Sequence, residues 1–512
     1  MQITEEQIEK FWKAHKRFLK TTLTTEKPHP KTHNLSNLCQ TNLSQAIQIF
    51  HEVELNAIKY ASNYVQDIFI LKQSIEKCLN QNGNIYLVGC GASARLAVLL
   101  RRLWEISNPS KTGRVISICA AGDISLIKSI EQFEDSKDYG IKQLEQQSFT
   151  NNDLLIGLTA SGESPFILAC IEHAKNSIHT PWLVCNNSIK DIFERNPKHI
   201  AKEEHLNILS LNVGEMALTG STRLQATTAM QLAVGLALIG PCNTTIDINR
   251  QISYIYDILY SINLAKLDKL IELESNILTN KEYILYQTDN NILGLSMLAD
   301  LTERSPTFNI AQFENYSTTP KFYSPFYLSL THTNSANHAW QELLNKNPAC
   351  LNWGEFNETT EEYLYGFDIS QSSNRVTGMH LPKQQFVESW LVKNETLTMK
   401  LKEETINFTI PQNNNLCISL IYKLLLNTHS TLMFGRCGYY EGNLMISLTP
   451  SNFKLIDRAI RYSDFILKTK YQKTITYEEI AEVLFNEIST LEPNQSIVNK
   501  VINRLINVTT LK

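Results

Sequence analysis

The chain has 512 residues, 43% hydrophobic and 19% charged, with a formal net charge of −4 at pH 7. That length allows two or three domains with proper cores, and that charge gives no basis for a nucleic-acid or anionic-lipid partner. No apolar run approaches the roughly 20 residues of a membrane span. The ten cysteines form no Cys-x-x-Cys pair or Cys/His cluster. They read as reduced thiols of a cytoplasmic protein, with no disulfide frame and no metal site. The charged, amphipathic N-terminus does not read as a signal peptide.

Residues 1–20 predict a helix. Thr4 and Gln7 have capping-box spacing, and Ile8, Phe11, Trp12, His15, Phe18 and Leu19 form one stripe. Residues 21–40 are interrupted by Pro28 and Pro30 and predict an extended segment. Helix returns over 43–80, with Ala46, Ile47, Phe50, Val53, Leu55 and Ile58 on one face.

Alternation follows. Strands are predicted at Ile85–Val88, Val115–Cys119, Leu154–Leu158, Trp182–Cys185 and Ile208–Val213. Helices are predicted at Ala94–Leu103, Leu126–Phe133, Phe166–Ala174 and Thr222–Ile239. This order implies βαβ units and a mostly parallel sheet covered on both faces, with ligands beyond the carboxyl ends of its strands.

Three loops at that edge share small, hydroxyl-rich, glycine-containing chemistry. They are Gly89-Cys90-Gly91-Ala92-Ser93, Thr159-Ala160-Ser161-Gly162-Glu163-Ser164-Pro165, and Leu218-Thr219-Gly220-Ser221-Thr222-Arg223. Such loops hold a phosphate or a sugar through hydroxyls and backbone N–H groups. Helix N-capping is the competing reading for each loop alone. The carboxylates Asp123, Glu131, Glu134 and Asp135 follow the second strand. They read as solvated surface, or as groups that bind sugar hydroxyls or move protons.

These motifs, with Glu134-Asp-Ser, stand in the order and spacing of sugar isomerase (SIS) domains. They resemble the N-acetylmuramic acid 6-phosphate etherases and the glucokinase regulatory proteins. Thr25-Glu-Lys-Pro-His-Pro-Lys-Thr resembles the lead-in peptide of the regulatory proteins. Tyr283–Tyr286 repeats a short strand, and Asp300-Leu-Thr-Glu303-Arg-Ser-Pro-Thr resembles an etherase segment. Asn443-Leu-Met445 and Asn452-Phe-Lys-Leu455 resemble later family motifs. A strand pair is predicted at Thr396–Leu401 and Ile406–Ile410, and helices over 453–512 with capping-box spacing at Thr476 and Glu479.

The resemblance implies an α/β chain with two flavodoxin-like SIS domains, parallel sheets flanked by helices, the second degenerate, plus a C-terminal helical cap. The expected divisions are 1–45 for the N-terminal helix and lead-in, 46–270 for the first SIS domain, 271–450 for the second and 451–512 for the cap. In etherases, one glutamate after the glycine loop and one in Glu-Asp-Ser share acid and base work. Here the first position is Leu103, Glu105 falls on the wrong helix face, and the missing carboxylate reappears as Glu303. A pseudo-dimer would then build one site from both halves.

The expected phosphosugar-binding residues are Gly91, Ala92, Ser93, Glu134, Thr159, Ala160, Ser161, Ser164, Ser221, Thr222, Arg223, Glu303 and Arg436. Arg223 is expected to pair with phosphate or with a carboxylate of the second domain. The family's Gly-Pro-Glu is Gly214-Glu215-Met216 here, its later lysine is Gln225, and Arg436 sits at an unusual spacing from Asn443. No cofactor and no metal are expected. Gly89-x-Gly91-x-x-Ala94 loosely fits a dinucleotide fingerprint, but Ala120-Ala121-Gly122 stand where its acidic residue is needed.

The expected function is a sugar-phosphate-binding regulatory protein, sensing a hexose or amino-sugar phosphate such as a fructose phosphate and controlling a sugar kinase. The alternative is an N-acetylmuramic acid 6-phosphate etherase, a carbon–oxygen lyase releasing lactate, with Glu134 and Glu303 as its catalytic pair.

Overall fold

Short apolar runs ending at glycine or small residues build the first sheet. The computed structural model describes residues 4–16, 20–128, 130–200 and 205–509. In it, β1 (Ile85–Gly89), β2 (Val115–Cys119), β3 (Leu154–Leu158), β4 (Trp182–Cys185) and β5 (Asn207–Ser210) lie in the order β2-β1-β3-β4-β5. All pairs are parallel; Ile85 sits between Val115 and Leu154. Every residue of β1, β3 and β4 is buried, as a sheet covered on both faces requires. The chain leaves β1 for β2 and returns on the far side as β3. Strand order therefore reverses at β1/β3, which opens a crevice at their carboxyl ends.

The second sheet is mixed. It contains β6 (Tyr283–Thr288), β7 (Phe326–Leu330), β8 (Gln385–Lys393), β9 (Thr396–Leu401) and β10 (Glu404–Thr409), ordered β10-β9-β8-β6-β7. Strands β7 and β8 run parallel to β6, whereas β8, β9 and β10 form an antiparallel meander. Its two-residue turns carry Asn394 and Lys402 at positive φ, the backbone state that lets tight hairpins close.

The helices that follow β1 and β6, Ala92–Ser107 and Asn291–Phe308, pack against each other. Helix Gln225–Ile239 is buried almost throughout and packs among its neighbours from both halves. The C-terminal helices are Phe453–Lys470, Tyr477–Ile488 and Ile497–Thr509. The Thr4/Gln7 and Thr476/Glu479 capping boxes are both formed. Phe18 and Leu19 of the N-terminal stripe lie outside the described residues, as does the side chain of Glu131. Among the described residues, no helix is long and apolar enough to cross a membrane.

Several expected elements differ. The helix expected at Leu126–Phe133 is broken: a short turn covers Asp123–Leu126, and helix resumes at Glu131–Glu134. The carbonyls of Ser125 and Leu126 accept instead from Arg95 (2.8 Å) and Thr302 (2.7 Å), so they are drawn off the helical ladder. The 43–80 helix is divided by a 3-10 turn at Ala61–Tyr64. The helix expected from Thr222 starts at Gln225, because Ser221–Leu224 remain a loop.

Candidate functional site

At the β1/β3 crevice, two glycines shape the first loop. A Cβ on Gly89 would lie 2.5 Å from the Ser93 carbonyl, so the following helix can begin this close only over a bare Cα. Gly91 stands at φ 52°, ψ −125°, which side-chain-bearing residues avoid. The helix Ala92–Ser107 thus aims its N-terminus across the crevice. Helix Pro165–Ala174 does the same after β3.

A cleft open to solvent lies there. Of the sequence-predicted residues, Gly91, Ala92, Ser93, Glu134, Thr159, Ala160, Ser161, Ser164, Ser221, Thr222 and Glu303 all line it. Glu303 comes from the second half, on Asn291–Phe308; the packing of that helix on Ala92–Ser107 carries it in. Arg95 pairs with Glu303 and fixes its direction. Glu134 is partly buried and forms no ion pair among the described residues.

The hydroxyls here are not helix caps. The cap positions of the three helices that follow these loops are Gly91, Ser164 and Leu224, and none makes a side-chain capping bond. Elsewhere in the chain, Thr4, Ser136, Ser188, Thr244, Ser335, Thr360 and Thr476 do cap their helices. The Ser164 hydroxyl meets only the Cys90 thiol, at 3.4 Å. Burial pushes that thiol well above its ordinary pKa, with the Glu134 charge adding to the effect, so Cys90 is no nucleophile.

Arg223 and Arg436 do not line the cleft. Arg223 is buried and binds Asp300 at 2.7 Å and Thr431 at 2.9 Å, on the second half. Of the two pairings expected for it, it makes the one with a carboxylate. Arg436 is corrected more fully: at the end of its helix it pairs with Glu272 (3.4 Å) and donates to the Cys39 carbonyl (3.3 Å), away from the crevice. Glu105 is engaged by Arg101 and Arg102, and Leu103 is fully buried.

Four charged or amide-bearing lining residues were missed. Glu26 arrives on the lead-in peptide, and Asn452, Lys454 and Arg458 on the first cap helix or its cap position. The lead-in lies under the third loop, where Thr25 O accepts from Gly220 N (3.1 Å) and the Thr32 hydroxyl donates to Ala217 O (2.7 Å). Arg458 binds Glu26 through two nitrogens. Lys454 forms no ion pair among the described residues and is partly exposed to the cleft. The Asn452-Phe-Lys-Leu455 motif was the one signal for the cap residues; for Glu26 it was the Thr25-Glu-Lys-Pro lead-in motif, which gave no role to the carboxylate.

Burial alone would raise the Glu26 carboxyl, but the Arg458 charge overrides it and holds the group at about 2, below its ordinary 4.5. Its contribution to stability is complete above about pH 4.5 and is lost as pH falls towards 2, on the order of 3 kcal/mol in all. Thermal melts between pH 6 and pH 3 are expected to fall more steeply for the native protein than for Glu26→Gln. Parallel curves would remove this pair from the acid response.

The family model "Glucokinase regulatory protein N-terminal SIS domain" matches residues 70–175. The N-acetylmuramic acid 6-phosphate etherase of Trichodesmium erythraeum is 30% identical over 227 residues, 43% of this chain and 67% of its own length. The enzyme of that name from Pectobacterium atrosepticum is 26% identical over 302 residues, 58% of this chain and 94% of its own. The C-terminal domain of glucosamine-fructose-6-phosphate aminotransferase from Francisella tularensis superposes over 75% of this chain and 96% of its own, at 10% identity and a TM-score of 0.38. The expectation of a regulatory protein acting on a sugar kinase is corrected by these relatives. The etherase likeness runs well beyond the 70–175 match, and it is with etherases that the chain aligns over most of their length. The chain belongs to the SIS-domain family of the N-acetylmuramic acid 6-phosphate etherases, which it shares with the glucokinase regulatory proteins.

Proposed function

We propose that this protein is a lyase of the N-acetylmuramic acid 6-phosphate etherase type, binding a phosphorylated amino sugar and releasing lactate. The observation that carries the reading is the meeting of two carboxylates from different halves, Glu134 and Glu303, in one cleft beside a cradle of hydroxyls that cap no helix. Ser93, Ser161, Ser164, Ser221 and Thr222, with two helix N-termini, suit a phosphate without a lysine. The sugar then faces the carboxylates.

The substrate's own chemistry sets what they must do. Its lactyl ether oxygen sits one carbon beyond the carbon next to the aldehyde of the opened sugar. One carboxylate takes the proton from that middle carbon, and the electron pair expels the ether oxygen. The other carboxylate protonates the departing lactate, and water adds to the resulting double bond. Arg95 orients Glu303 for this work.

Incubation of the protein with N-acetylmuramic acid 6-phosphate, followed by NMR, is expected to show lactate appearing as the sugar is consumed. A ligand that shifts the melting temperature yet stays intact for hours would end the etherase reading. For the cradle, Ser93→Ala with Ser161→Ala is expected to weaken sugar-phosphate binding about 100-fold, two charge-assisted hydrogen bonds' worth. The variant's unliganded melting temperature should barely move. Unchanged affinity would remove these serines from the phosphate site.

A further inference from the structure

Behind the second sheet, away from the cleft, three ligand-capable side chains meet in the core. Glu274 lies on helix Asp268–Thr279, Glu388 on β8 and His429 on helix Asn415–Arg436, and all three are fully buried. One donor atom from each lies within 4.8 Å of the others.

Their hydrogen bonding is divided in a telling way. Each carboxylate has one oxygen held from outside the cluster: Tyr286 OH donates to Glu274 Oε1, and Trp390 Nε1–H donates to Glu388 Oε1 at 2.6 Å. The inner oxygens, Glu274 Oε2 and Glu388 Oε2, and both ring nitrogens of His429 find no hydrogen-bond partner outside the cluster; the two carboxylates face each other closely enough to share a hydrogen bond when one is protonated. His429 Nε2 and Glu274 Oε2 are 3.1 Å apart without hydrogen-bond geometry. That spacing is close to the edge of a coordination tetrahedron, where bonds of 2.0–2.1 Å set ligand atoms about 3.3 Å apart. Outer oxygens tied down by donors, with inner ones turned to the cluster, is how carboxylate ligands are supported, while the imidazole of His429 carries no such outer partner. The neighbouring cation, Arg304, contacts Tyr286 OH at 3.2 Å and shares the Asp300 carboxylate (2.8 Å) with Arg223.

We propose that Glu274, Glu388 and His429 form a structural site for a divalent first-row transition ion, with zinc or manganese as the fitting class. Two carboxylates and a neutral imidazole leave a divalent ion with no net charge, which a fully buried site demands. The ion would tie one strand to two helices of the second half. This site is separate from the sugar cleft and does not depend on the etherase reading.

The test is metal analysis of the full-length protein, grown with added zinc or manganese and dialysed free of loose ions. About one equivalent per chain is expected, with a melting temperature that falls on chelation and recovers with zinc or manganese alone. Cobalt exchanged into the site should give visible d–d bands without a thiolate charge-transfer band, which separates it from the cysteines. Glu388→Gln should lower the bound metal at least tenfold. Should that variant fail to fold, the native stoichiometry and the cobalt spectrum still decide. A folded native protein holding under a tenth of an equivalent, or cobalt bound through thiolate, would overturn the site and leave a proton shared between the two carboxylates.

Discussion

Glu303→Gln is expected to slow lactate release by about 10²–10⁴-fold while leaving sugar-phosphate affinity within a few-fold, the signature of a lost proton-transfer group. The amide keeps the volume and still accepts from Arg95, so the second half should stay docked. Glu134→Gln should cost as much in rate and less in stability, since Glu134 has no ion pair among the described residues to lose. Because the two carboxylates act on one substrate, the double variant should be little worse than either single one. Lactate release at constant protein and saturating substrate, with affinity read by thermal shift, separates the two effects. A Glu303→Gln protein with native kcat would mean that the second half supplies no chemistry. The carboxylate missing from the first half would then have no replacement, because Leu103 is buried and Glu105 is held by two arginines.

Local patterning made much of this legible. β1 to β4 are apolar runs bounded by glycine or small residues, and the loops after β1, β3 and β5 share one chemistry, so the cradle could be read residue by residue. Glu303 was legible because its surrounding segment repeats the form of an etherase loop. What escaped depends on contacts distant in sequence. Glu26 and Arg458 are 432 positions apart, and neither carries a local mark of burial. The helix expected at Leu126–Phe133 gave way to Arg95 and Thr302, which occupy its carbonyls from other helices. β8 was missed because its buried face includes Glu388 beside Trp390, a polar residue where a strand pattern calls for an apolar one. Arg436 shows the opposite failure, in which a motif position was carried over although its spacing had changed.

The largest stability loss is expected at Asp300. Its carboxylate binds Arg223 (2.7 Å), Arg304 (2.8 Å) and the Ser430 hydroxyl (2.8 Å), all of them buried. Burial alone would raise the Asp300 pKa, but the charges of Arg304 and Arg223 override it and keep the group ionised. Asp300→Ala would take from two buried guanidinium groups the carboxylate they both bind, at a cost of about 3–5 kcal/mol. The surface pair Lys128–Glu358 supplies the contrast: Lys128→Ala should cost under about 1 kcal/mol, since the pair is open to solvent on the Glu358 side. Arg223 directly follows Ser221 and Thr222 in the third loop, so the Asp300 pair also pins the cradle to the helix that carries Glu303. Under mild conditions, where Asp300→Ala remains folded, its sugar-phosphate affinity should therefore fall together with its denaturation midpoint. A midpoint shift no larger than that of Lys128→Ala would show that the buried cluster does not join the halves. A large shift with native affinity would show that the third loop holds its shape without it, through the lead-in peptide that bonds to Gly220 and Ala217.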